Sequence, residues 1–109
     1  VLLGMGDDGH TASLFPDSQA LAEQTAWVAA NWVEKLNAYR ITLTAPAINH
    51  AARVVFLVTG AGKAERLREV LHGVKSDSDL QHESLPSQLI RPAAGTLEWL
   101  VDKAAASRL

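Results

Sequence analysis

Val1-Leu2-Leu3-Gly4-Met5-Gly6-Asp7-Asp8-Gly9-His10-Thr11-Ala12-Ser13-Leu14-Phe15-Pro16 opens the chain and decides how the rest is read. A short apolar run leads directly into glycines, then into two carboxylates, a histidine and two hydroxyls. That order is the pattern of a buried strand ending in a functional loop. In open α/β sheets, ligands bind beyond the carboxyl ends of the strands, so Gly4–Ser13 is the stretch in which to look for chemistry. Glycines at 4, 6 and 9 permit positive φ and close approach of a ligand to the backbone, and their N–H groups suit an anion nest. His10 is a candidate general base. Asp8, two residues away, is placed to hold one tautomer of the imidazole. Thr11 and Ser13 can cap a helix or donate to a ligand. A glycine-rich strand end with a structural histidine is the competing reading of the same spacing.

The segment Gly4-Met5-Gly6-Asp7-Asp8-Gly9-His10-Thr11-Ala12-Ser13-Leu14-Phe15-Pro16 resembles the signature of the 6-phosphogluconolactonases. These are related to the glucosamine-6-phosphate deaminases, which share an Asp-Gly-His core but continue differently after the histidine. The continuation Thr11-Ala12-Ser13-Leu14-Phe15-Pro16 is similar to the lactonases.

Composition sets the outer bounds. The 109 residues suffice for one small domain, with 48% hydrophobic and 20% charged residues, a globular balance. A net charge of −2 leaves no basic footprint for nucleic acid. Cysteine is absent, which excludes disulfides and thiolate metal sites. No apolar run approaches the roughly 20 residues of a membrane span. His82 and Glu83 lack ligand-like spacing to other candidate metal residues, so no metal is expected, and no cofactor.

Further along, the pattern predicts a short helix over Ala20–Gln24, with Ser18 as N-cap, and a strand over Trp27–Val33. A loop over Glu34–Ala38 leads to a second strand, Tyr39–Thr44. In that strand Ile41 and Leu43 alternate with Arg40, Thr42 and Thr44, which predicts an apolar packed face and a polar exposed one. Arg40 begins the polar face, where a guanidinium either binds an anion in a fork or is simply a surface charge. A helix over Ala45–Ala52 is capped by Thr44 with Pro46 early in it, and His50 within it reads as structural. Arg53–Gly60 is nearly continuous in apolar residues and predicts a strand buried on both faces. A helix from Lys63 to His72 follows, striped by Leu67, Val70 and Leu71 and closed by Gly73. The strand–glycine–helix unit lacks the spacing of a nucleotide loop. Lys63 is either a plain first-turn lysine or an anion contact. Val74–Ser84 reads as an exposed loop. Short helices over residues 86–91 and 102–107 flank a strand over Thr96–Leu100, with Trp99 inward.

The alternation of strands and helices indicates an α/β fold. The resemblance makes it a three-layer arrangement, a mostly parallel sheet with helices on both faces, like the sugar-phosphate deaminases and isomerases. It implies that residues 1–109 are the C-terminal half of a single domain whose N-terminal half is absent. That part-domain is expected to be weakly stable, to self-associate and to lack full activity. The resemblance further implies a cytoplasmic hydrolase acting on a sugar-phosphate lactone of the pentose phosphate pathway. His10 and Asp8 would be catalytic, and Gly4, Gly6, Gly9, Thr11 and Ser13 would contact substrate. Arg40, in a segment similar to the family's Arg-Ile-Thr-Leu-Thr, would face the phosphate, as would Lys35 on its approach. A glucosamine-6-phosphate deaminase-like enzyme and a non-catalytic sugar-phosphate binding module are the alternatives.

Overall fold

β4 (Arg53–Val58) is the strand around which the others are arranged. The computed structural model describes residues 1–73 and 84–109; the expectations for the loop at 74–83, His82 and Glu83 among them, lie outside the described residues. β1 (Leu2–Leu3) runs parallel to β4, with Leu2 beside Val55 and Leu3 beside Phe56. β5 (Thr96–Val101) runs parallel on its other side, from Arg53 beside Thr96 to Val58 beside Val101. The order β1-β4-β5 means that both crossovers step in the same direction across the sheet. Right-handed crossovers then place both connections on one face.

Burial follows that rule. Leu3, Val54, Phe56 and Val58 are buried, whereas Leu2, Leu57 and Leu100 on the opposite face are 66%, 46% and 51% exposed. The expected parallel sheet with helices is present, but the described residues cover one of its faces. β4 is therefore not buried on both faces, despite its continuous apolar sequence. Trp99 packs inward as expected, stacked on Phe56 at 3.9 Å between ring centroids.

The connections form where the sequence punctuates them. α1 (Ala45–Asn49) starts at Thr44, whose hydroxyl accepts from the Ala47 N–H, with Pro46 in the first turn. A 3-10 turn over Ala61–Lys63 runs into α2 (Ala64–His72), which stops at Gly73 with φ 76°. Its buried stripe is Ala64, Leu67 and Val70; Leu71 lies outside it. The short helices expected near residues 20–24, 86–91 and 102–107 are 3-10 turns at Gln19–Ala22, Pro86–Leu89 and Ala105–Arg108. Segments this short gain too few i→i+4 bonds to settle as α-helices.

Between β1 and β4 the chain builds a separate antiparallel hairpin of β2 (Val28–Val33) and β3 (Ala38–Leu43). The loop between them contains a 3-10 turn, Glu34–Leu36, and Asn37 in the left-handed region at φ 48°. The alternation in β3 is opposite to the expected one. Thr42 and Thr44 are buried, and Ile41 and Leu43 are 73% and 43% exposed. Hydrogen bonding explains the inversion, because a buried polar group is tolerated when its partners are in place. Thr42 Oγ1 accepts from Ser13 N and donates to Leu43 O. Thr44 Oγ1 donates to Ala26 O at 2.6 Å. Across the hairpin, buried Asn31 accepts from Ala20 N and donates from Nδ2 to Ser13 O and Ser18 Oγ. Ser18 thus serves Asn31 and Phe15 O rather than capping a helix with its side chain.

Removing Asn31 would leave those three groups without their partner in a dry layer. Asn31→Ala is expected to cost about 2–4 kcal/mol, the scale of losing several buried hydrogen bonds at once. Urea unfolding followed by circular dichroism measures it; a loss under about 0.5 kcal/mol would show that the polar layer does not hold the hairpin.

Candidate active site

The loop after β1 is closed by its own backbone. Gly6 N donates to His10 O at 2.8 Å, Gly9 N to Gly6 O at 3.0 Å, and the Thr11 hydroxyl to Gly4 O at 2.8 Å. A side chain at Gly6 would overlap the His10 ring, so the missing Cβ is what lets the imidazole lie across the backbone. Gly9 has φ 81° and its carbonyl accepts from both Ser87 N and Ser87 Oγ. From the other side, Lys63 Nζ donates to Met5 O at 2.8 Å and pairs with Asp7 at 3.0 Å, while Arg66 Nε donates to Asp7 O at 2.9 Å. The first turns of α2 thus clamp the loop. Lys63, read from the sequence as a plain first-turn lysine or an anion contact, holds the loop backbone in this structure.

Asp8 and His10 meet as expected. The Asp8 Oδ1 atom accepts from His10 N at 3.0 Å and lies 2.5 Å from His10 Nδ1. Lys35 Nζ donates to the other oxygen, Oδ2, at 2.5 Å. Partial burial opposes ionisation of Asp8, but the Lys35 ammonium and the His10 N–H and imidazole outweigh it. Together they hold the carboxyl well below the usual carboxylate range. An ionised carboxylate only accepts, so Nδ1 carries a proton, and in the neutral ring the lone pair is on Nε2. Phe15 stacks on the imidazole at 4.1 Å between centroids and lies 5.1 Å beneath the Lys35 ammonium.

The other predicted site residues divide. The N–H groups of Gly6 and Gly9 are consumed within the loop, and the Thr11 hydroxyl, almost fully buried, is consumed by Gly4. These residues shape the loop and present no free donor to an anion. Gly4 is exposed, with open space where a Cβ would stand. Ser13 is partly buried, its backbone held by Thr42 and Asn31. Arg40 is exposed on β3, opposite Asn31 and two residues from Thr42, so it shares the strand face that addresses the loop. Lys35, expected to contact phosphate, has its ammonium on Asp8 Oδ2. A cleft of about 990 Å³ opens beside Asp8, lined by Asp8, Phe15, Lys35, Trp32 and Tyr39 among others; His10 and Arg40 are not among its lining residues. Among the described residues no group of three or more His, Cys, Asp or Glu could hold a metal ion, and no helix is long and apolar enough to cross a membrane. The clamp by Lys63 and Arg66 and the Ser87 contact escape sequence reasoning, since they join positions 58 to 78 residues apart. Phe15 stands in the signature itself but signals nothing beyond packing.

The depressed Asp8 carboxyl has a pH consequence. Its folded-state pKa lies below its ordinary 3.8, so its stabilising contribution is full above that value and is lost as pH falls through and below it. Thermal melts of the parent and Asp8→Asn are expected to differ most at about pH 6, the gap narrowing progressively as pH falls below 3.8. A gap that stays constant across that range would contradict the ion-paired arrangement.

Residues 1–99 match the family described as glucosamine-6-phosphate isomerases/6-phosphogluconolactonase. A 6-phosphogluconolactonase from Bos taurus is 42% identical over 110 residues, covering all of this chain and 40% of its own length. A probable 6-phosphogluconolactonase 1 from Arabidopsis thaliana is 44% identical over 111 residues, with the same coverage. The solved 6-phosphogluconolactonase from Trypanosoma cruzi superposes with a TM-score of 0.82 at 34% identity, over all of this chain and 40% of that one. The chain spans about 40% of the length of the relatives it matches. With residues 1–99 matching the family model, the chain belongs to the glucosamine-6-phosphate isomerase/6-phosphogluconolactonase family.

Proposed function

We propose that these residues form the C-terminal half of a cytoplasmic 6-phosphogluconolactonase, hydrolysing 6-phospho-D-glucono-1,5-lactone to 6-phosphogluconate with no cofactor. The observation that carries the reading is the Asp8–His10 bond, which fixes the proton on Nδ1 and leaves Nε2 as a base. A lactone carbonyl is already electrophilic, so water needs only to lose a proton as it attacks. His10 Nε2 takes that proton while the water oxygen bonds to the carbonyl carbon. The tetrahedral intermediate then breaks its bond to the ring oxygen, and the His10 imidazolium returns the proton to that oxygen, giving the open-chain acid. Asp8 orients the ring and stabilises the imidazolium between the two steps. Arg40 receives the phosphate as a fork of N–H donors. Exposed Gly4 and the neighbouring Ser13 supply the surface over which the sugar lies. The 42–44% identity to proteins named 6-phosphogluconolactonase supports this choice.

Hydrolysis above the spontaneous rate, compared between the 109-residue chain and the complete polypeptide that the proposal implies, tests the activity. In the complete polypeptide, His10→Ala is expected to lower turnover by roughly 100- to 10,000-fold, the usual contribution of general acid–base catalysis. A loss within about threefold would remove His10 as the base. Arg40→Ala is expected to raise KM for the phosphorylated lactone more than it lowers kcat, while leaving hydrolysis of the unphosphorylated lactone unchanged. Equal damage to both substrates would take the phosphate away from Arg40.

A further inference from the structure

Each oxygen of Asp8 has a different partner, and the two partners come from different parts of the chain. Oδ1 faces His10 within the glycine loop, while Oδ2 faces Lys35 from the turn that closes the hairpin. Lys35 reaches Asp8 across 27 residues of sequence, and Asn37 in the left-handed region turns the chain directly after it. Phe15 forms a common floor, under the imidazole on one side and near the ammonium on the other.

Among the described residues the charges around His10 are few. On its own loop stand Asp8 and Asp7, and Asp7 pairs with Lys63 from the 3-10 turn before α2, while Arg66 of α2 pairs with Glu69. From the hairpin come Lys35, Glu34, which accepts from Trp32 Nε1, and exposed Arg40 on β3. The Pro86–Leu89 turn brings only uncharged Ser87 and Gln88. Lys35 is thus the cation set directly on the carboxylate that holds His10. A carboxylate alone against an imidazole favours the protonated, base-incompetent ring. An ammonium on its far oxygen draws off part of that field and repels the imidazolium.

We propose that Lys35 is a positioning residue for the hydrolysis: it locks Asp8 against His10 Nδ1 from the far oxygen and offsets the carboxylate charge, keeping Nε2 unprotonated for the attacking water. The role in hydrolysis rests on the function proposed above; the effect on the imidazole does not. The imidazole nitrogen resonances of His10, followed by NMR across a pH titration of the 109-residue chain, read that effect directly. In Lys35→Met the His10 midpoint is expected to rise by about 0.5 pH unit, the scale of removing one charge at this range near the surface. Lys35→Arg, which keeps the charge, is expected to stay near the parent. The Lys35 side chain is 56% exposed, so its removal opens no cavity, and Lys35→Gln repeats the test should the Met variant not fold. A rise below about 0.2 unit, or a fall, in the folded neutral variants overturns the proposal, as does a rise in the arginine variant equal to theirs. In the complete polypeptide the acid limb of kcat/KM is expected to move with the midpoint. A midpoint that moves in a protein with no lactone hydrolysis would defeat the functional reading while the effect of Lys35 on His10 stands.

Discussion

The Asp8 carboxylate is the constraint on which the site depends, because its two oxygens tie two stretches of chain together. Through Oδ1 it takes the backbone N–H and the ring of His10. Through Oδ2 it takes the tip of the hairpin. That geometry needs the loop to be held still, and the loop is held from both sides, by Lys63 just before α2 and Arg66 within it, and by Ser87. The two groups of contacts serve different ends. The clamps set the position of the backbone, while the carboxylate sets the tautomer and protonation of one imidazole. Gly6 links them, since the ring can cross the backbone only where there is no Cβ.

Much of this was legible in the sequence where local rules decide. The strand leading into Gly4, the cap of Thr44 before Pro46 and the stop at Gly73 follow from residues next to one another, and each is present. The Asp8–His10 pair was legible for the same reason, as the partners stand two positions apart. What failed were readings that needed knowledge of the other side. Thr42 and Thr44 look like a solvent face until Ser13, Ala26 and Ala47 are known to satisfy them. Arg53–Val58 looks buried on both faces because its composition is uniform, and composition does not say which layer the rest of the chain supplies. Lys35 was legible as a cation near the site, but its target depends on a turn whose geometry is set by Asn37.

Each of the two apolar surfaces left open has its own structural explanation. The hairpin turns Val28, Ile41 and Leu43 outward because its inner face is occupied by the hydrogen-bonded layer of Asn31, Thr42 and Thr44. The sheet exposes Leu2, Leu57 and Leu100 because its strand order advances in one direction only. A second covering layer requires that order to reverse, and the reversal in an α/β sheet is also where ligands collect, beyond the carboxyl ends of the strands. Among the described residues β1 is one of the two edge strands, and the loop bearing Asp8 and His10 leaves from its carboxyl end. A strand added beside β1, with its connection on the open face, would cover Leu2 and Leu57 and bring a second loop against Gly4 at the same step.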